Sequence, residues 1–248
     1  MATSKYFTVE VKPTIAASKQ HEAQFGNGEV LFDWASFQVP RGANKLVNVT
    51  ALVRPKGDAG PTGNPYPFQL LFSKSNTQTI GTVNAGTANR PSNDFLGMVE
   101  FTAADYMTVA IDSTQIADLS RGNTHPVGPL VLQGDITTGD NVGYDTLYVS
   151  ALCQGTSMDF QSILVVADAD IASAAHTTIT TGGTSMDNRE HFIAGDVIHA
   201  QDDAVVGTLD SVAESTITLT SELATSVLTN GDTLYNIHPI RLILQFER

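Results

Sequence analysis

The sequence predicts an all-β protein: an antiparallel β-sandwich of jelly-roll type, interrupted by a small inserted β-barrel. Apolar residues recur with a period of two in short runs, and no stretch of ten or more residues carries a convincing helical period. Clusters of Gly, Pro, Asn and Asp separate those runs at turn-like spacing. After a long Thr- and Gly-rich excursion, Ile240, Leu242, Leu244 and Phe246 alternate with Arg241, Gln245 and Glu247, a strand with one buried face. Such a lone strand cannot satisfy its own backbone hydrogen bonds, so it must rejoin a sheet built earlier. The chain therefore divides into a sandwich, 1–171 plus 237–248, and an insert, 172–236. It leaves the sandwich through the apolar run Ile163-Leu164-Val165-Val166 and the hydrophilic Ala167-Asp168-Ala169-Asp170.

Taken in order, Phe7, Val9 and Val11 alternate with Thr8, Glu10 and Lys12 in an opening strand that Pro13 confines to an edge or an end. Ala16 to Gln24 reads as a short helix or as an arm laid on a neighbour. Val30 to Val39 holds Leu31, Phe32, Trp34 and Phe37 and stops at the turn Pro40-Arg41-Gly42. Lys45 to Val53 alternates, and its uniformly apolar set, Val47, Val49, Ala51 and Val53, is the expected core face. The Gly spacing of three within Gly57 to Pro65 is too short for a triple helix and reads as a plain loop. Phe68 to Phe72 is a strand. Asn76 to Asn93 is a long polar loop, of the kind that is functional or makes an oligomer contact. Leu96 to Ile111 holds one or two strands, Leu130 to Leu132 another, and Thr146 to Leu152 another.

The insert reads as five short strands, about the size of a small, strongly bent barrel. Thr177 to Thr181 is β-branched, and Phe192 to Ile198 is a strand containing a Gly-Asp turn. Ala204 to Val212 and Ser215 to Thr220 form a hairpin. Ala224 to Leu228 is a single helical turn, and Asn230-Gly231-Asp232 turns the chain into Thr233-Leu234-Tyr235.

Composition bounds the function. In 248 residues, 42% hydrophobic content supports a real core, and no window approaches ~18 consecutive apolar residues, so no spanning helix is expected. Residues 1–6 lack an apolar signal core, which points to the cytoplasm that makes the chain. Cys153 is the single cysteine, so neither an intrachain disulfide nor a thiolate cluster can form. The net charge of −13, spread thinly, opposes binding of nucleic acid through phosphates and leaves room for a basic partner.

Catalytic, cofactor and metal sites are all expected to be absent. His21, His125, His176, His191, His199 and His238 are scattered, without the spacing of a metal motif. Asp168 with Asp170, and Asp202 with Asp203, lack the spacing of a calcium loop. Asp135, Asp140 and Asp145 are expected to lie in a Gly-rich loop and are the better oxygen-ligand candidates, yet solvated turn residues are the preferred reading. Trp34 is preferred as a core or interface anchor over a sugar platform. Gly-Thr-Ser-Met-Asp occurs at 155–159 and 183–187 with unlike flanks, so it reads as coincidence, and neither copy is a hydrolase elbow.

Gly195-Asp196-Val197-Ile198, Val206-Gly207-Thr208-Leu209, Thr216-Ile217-Thr218-Leu219 and Asn230-Gly231-Asp232-Thr233-Leu234-Tyr235 together resemble a small β-barrel module of tailed-bacteriophage structural proteins. Phe37-Gln38-Val39-Pro40-Arg41-Gly42-Ala43, Leu147-Tyr148-Val149 and Asp159-Phe160 lie in a first part that resembles virion structural proteins of marine T4-like phages, among them capsid decoration or cement subunits and tail components. The resemblance implies a non-enzymatic virion protein, most simply a homotrimer that decorates the major capsid protein of the same virus, binding neither nucleic acid nor membrane. A tail or baseplate component, or a receptor- or glycan-binding module, is the alternative. Contacts are expected at Ala16 to Gln24, at Asn76 to Asn93 and on the outward barrel, since a sandwich core needs none of them.

Overall fold

A computed structural model describes residues 5–57, 62–86, 94–111, 114–119, 130–133, 143–161, 165–167, 170–173, 175–182, 187–223 and 227–248. The first part of the chain contains β1 (Tyr6–Val11), α1 (Ala17–Glu22), β2 (Val30–Pro40), β3 (Asn44–Val53), β4 (Phe68–Ser73), β5 (Phe95–Phe101), β6 (Tyr106–Ile111), β7 (Thr114–Asp118), β8 (Leu130–Leu132) and β9 (Tyr144–Cys153). There follow β10 (Val165–Val166), β11 (His176–Gly182), β12 (Val197–Ala200), β13 (Val205–Val212), β14 (Thr216–Leu223), β15 (Leu234–Asn236) and β16 (Ile240–Glu247).

The expected antiparallel sandwich is present. One sheet runs β1-β16-β3-β7-β6, with β8 also paired to β3, and the facing sheet runs β2-β9-β4-β5. The closing strand does what its alternation demands: Ile240, Leu242, Leu244 and Phe246 are fully buried, and Leu244 lies opposite both Val9 and Val49. β16 is thus an interior strand, and β1 is the edge that Pro13 requires. Phe246 stacks on Phe7 at 5.0 Å and faces Phe37 of the other sheet at 6.5 Å, which ties the two layers together.

The expected core face of β3 needs one correction. Gln245 pairs with Asn48 and Phe246 with Leu46, so the register skips Val47 in a β-bulge. The extra residue shifts the alternation: Val49, Ala51 and Val53 are buried as expected, but Leu46 takes the buried position and Val47 is half-buried. β7 was not expected at all; its Gln115-Ile116-Ala117 carries too little apolar alternation to announce itself, and it is held by β3 and β6 on either side. Trp34 is half-buried, packs against Val30, Leu71 and Ile80, and donates its indole N–H to the Gln78 carbonyl at 2.8 Å.

The third sheet, β10-β11-β14-β13-β12-β15, is built wholly from residues 165–236 and bends until its ends meet. Val166 donates to Asp232 O at 2.8 Å and accepts from Gly231 N at 2.9 Å, which gives a half-barrel around Ile179, Phe192, Ile198, Leu209, Ile217 and Leu234. It has six strands where five were read, because the pair Val165–Val166 belongs to it. The expected strand over Phe192 to Ile198 begins only at Val197. Before that, the Asp196 carboxylate accepts from Ile193 N at 3.1 Å and Gly195 takes φ +91°, closing a turn. The expected hairpin is present as β13 and β14, with Ala213 N donating to Thr216 O at 2.8 Å. The expected helical turn at Ala224 to Leu228 falls largely outside the described residues.

Candidate functional site

The side chains singled out in the sequence do not converge. Asp145 is buried within β9, opposite Val39, and lies 3.8 Å from Arg41 Nε; it is a strand residue and not a loop ligand. Asp135, Asp140, Asp168 and His125 lie outside the described residues. His176 contacts the Asp170 carbonyl at 3.3 Å. Asp159 and Asp187, which end the two Gly-Thr-Ser-Met-Asp copies, do unlike work. Asp159 accepts from Gln161 N at 2.9 Å, whereas Asp187 pairs with the Arg189 guanidinium, which holds its carboxyl below the usual range. Among the described residues, no three His, Cys, Asp or Glu side chains are grouped as a metal site would need. Cys153 is buried and free, and burial pushes its thiol up to about 11.

What the fold does bring together is a polar seam between sandwich and half-barrel. Ile15 N donates to Ile237 O at 2.8 Å, and the buried Gln20 amide donates to both Ile15 O at 2.7 Å and Asn236 O at 3.0 Å. His21 Nδ1 meets the Tyr235 hydroxyl at 2.7 Å, and next to it, within the sandwich, His238 Nδ1 meets Pro13 O at 3.0 Å. Ser18 donates from N and Oγ to Asp203, at 2.9 and 2.6 Å. Burial acts to raise that carboxyl, but the bonds from Ser18 outweigh it and hold it below its ordinary value. On its far side α1 receives Asn84, whose amide reaches Lys19 O and Ala23 O. The arm, the described part of the long loop and the half-barrel, expected as separate contact segments, therefore form one continuous cluster.

Beside the seam lie two side chains that sequence reasoning missed. Arg54 is 7% exposed and donates from Nη2 to the Phe160 carbonyl, but its Nε and Nη1 find no acceptor among the described residues. His191 is 5% exposed and neither ring nitrogen has a partner there. Burial pushes the His191 imidazole down to about 3; the Arg54 charge adds to this and Asp187 opposes it. Burial likewise draws Arg54 down to about 10, against the pull of Tyr235 and Asp159. His191 is thus a neutral ring, kept so first by its burial and then by the Arg54 charge. Arg54 directly follows β3 and His191 follows a short 3₁₀ turn in the half-barrel, so no local motif could have paired them.

An open groove of about 430 Å³ is lined by Glu10, Lys12, Thr14, Asp33, Trp34 and Val83 among others, from the end of β1, from β2 and from the loop before Asn84. Glu10 is bound to Arg241 at 3.1 Å, and one Asp33 oxygen accepts from Ile80 N at 3.1 Å. The groove joins an aromatic ring to carboxylates, a set suited to weak, orienting contacts with a polar ligand. No family model, curated protein or solved structure matches this chain.

Proposed function

We propose that this protein is a non-enzymatic structural subunit of a bacteriophage virion, a decoration or cement protein that sits as a trimer on the head. The observation that carries the reading is the continuous cluster of α1, the loop around Asn84 and the half-barrel turn at Asp203. Val83 beside Asn84 and Ala204 beside Asp203 anchor these segments on the apolar clusters, and their polar residues are ordered against one another and present one many-segment surface. The resemblance to virion structural proteins supplies the partner class. A cyclic trimer repeats such a surface at each three-fold or quasi-three-fold position of a shell, and individually weak contacts then add. The net charge of −13 favours a basic patch on the capsid protein. Cryo-electron microscopy of the intact particle tests this: density for the chain on the head surface is expected. Density confined to tail or baseplate would overturn it.

The groove at Trp34 favours one alternative, a glycan-binding module of the same virion, because a half-buried indole beside Glu10 and Asp33 is a frame that a sugar fits. Specific binding on a glycan array, lost in Trp34→Ala, would promote that reading over the first.

A further inference from the structure

α1 is six residues long, shorter than an isolated helix needs in order to persist in water. Its own sequence holds it only weakly, through the Lys19–Glu22 pair at 2.6 Å and the basic Lys19 and His21 in its last turn. Ala16 at the N-cap makes no side-chain capping bond, the first turn has no acid, and Ala23 leaves in extended conformation.

Both ends are closed from elsewhere. At the N-terminal end the acceptor is Asp203, in the turn between β12 and β13 of the half-barrel, which receives Ser18 N at 2.9 Å. At the C-terminal end Asn84, in the segment between β4 and β5 of the sandwich, bonds Lys19 O and Ala23 O through its amide, each at 2.9 Å, and Gln161 Nε2 adds a bond to His21 O at 3.1 Å. Asn84 (φ +57°) and Asp203 (φ +71°) are also the only non-glycine residues at positive φ among the described residues. Left-handed backbone is tolerated by Asn and Asp but persists where surrounding contacts over-determine it. Those contacts are present: Asn84 N donates to Val30 O at 2.9 Å, Asp203 N donates to Ala200 O at 3.0 Å, and His199 Nδ1 meets Asp203 O at 3.1 Å. The apolar clusters of sandwich and half-barrel are separate, so the seam between them is polar and of the kind that opens first.

We propose that α1 is a two-ended latch: it is helical only while Asp203 and Asn84 hold its two ends, and its helicity fixes the half-barrel against the sandwich. Releasing either end melts 17–22 and lets the half-barrel move as a body while both cores stay folded. The latch is a property of the chain alone and stands whether or not the virion reading does.

Hydrogen exchange on the full chain tests it with three variants. Asp203→Gly removes the carboxylate while easing the positive φ, so a loss there reports the cap and not backbone strain. Exchange across 17–22 should accelerate roughly five-fold or more, the effect of losing a typical N-cap. Asp203→Asn keeps an oxygen acceptor and the same backbone preference, and should retain most of the protection. Asn84→Gly, altered only on the sandwich side, should deprotect 17–22 and also the half-barrel turn at 201–204. Small-angle scattering of the Asp203→Gly, Asn84→Gly double variant should show a larger maximum dimension. Unchanged exchange of 17–22 in Asp203→Gly overturns the proposal, as does acceleration spread equally to β3 and β16. An unchanged maximum dimension overturns the claim that the latch positions the half-barrel.

Discussion

Acidification should weaken this protein through His191, by an amount that can be isolated. The ring is neutral in the fold, held at about 3 against an ordinary value of 6.5, mainly by burial and then by the Arg54 charge. The unfolded chain takes up a proton below about pH 6.5 that the folded chain refuses until about pH 3, so the stability due to the neutral ring is complete above 6.5. It is then lost progressively as pH falls toward the folded value. At about 1.4 kcal/mol per pH unit, moving from about pH 7.5 to about pH 4.5 costs roughly 3 kcal/mol, and the whole window is worth up to about 5 kcal/mol. His191→Leu supplies the control. Because neither ring nitrogen is hydrogen-bonded to a described residue, an apolar side chain of similar size forfeits little at neutral pH. Urea unfolding of both proteins across this range cancels every other titrating group. The stability of the native protein relative to His191→Leu should fall by about 3 kcal/mol between the two pH values, leaving the variant the more stable in acid. Parallel pH profiles would refute the reasoning, because they would mean that the ring is solvated or paired.

Phe246→Ala should cost about 3–5 kcal/mol by urea denaturation, since the ring is fully buried and stacks within one sheet and across to the other. A loss under about 1 kcal/mol would show that the layers are not joined there. Replacing 165–236 by a short Gly/Ser linker should leave a sandwich that unfolds cooperatively, because that sheet and its apolar cluster draw on no sandwich strand; calorimetry without a transition would show a shared core. Cys153 should resist thiol reagents in the native protein at neutral pH and react at once in denaturant, its thiol being buried and pushed up to about 11. Rapid native labelling would mean that β9 opens locally.

The strands were legible where the alternation was strong and local. β16 declared its buried face in eight residues, and β13 and β14 declared their turn. The face of β3 was misread because a bulge is decided by the partner strand: nothing in Val47 or Asn48 says that β16 skips a position there. β7 stayed hidden because its place between β3 and β6 comes from pairing and not from its own residues. The candidate site was the least legible part. Asn84, α1 and Asp203 are remote in sequence and meet only through the topology, which also brings the Arg54 charge to bear on His191. Asp145, which looked like a loop ligand, was drawn into a strand by pairing with Val39.

The hydrogen bonds that join Val166 to Gly231 and Asp232 have a kinetic consequence. β16 must find its place between β1 and β3 after an excursion that begins at the end of β9, and closing such a long loop is slow in all-β chains. Once the half-barrel has folded, its entry and exit lie side by side, and the free chain between β9 and β16 shrinks about six-fold. The entropic cost of closure then drops by about 1.5 kcal/mol, roughly ten-fold in rate if closure limits folding. Lesions that unfold only the half-barrel will therefore make the sandwich a slow folder without touching one of its contacts.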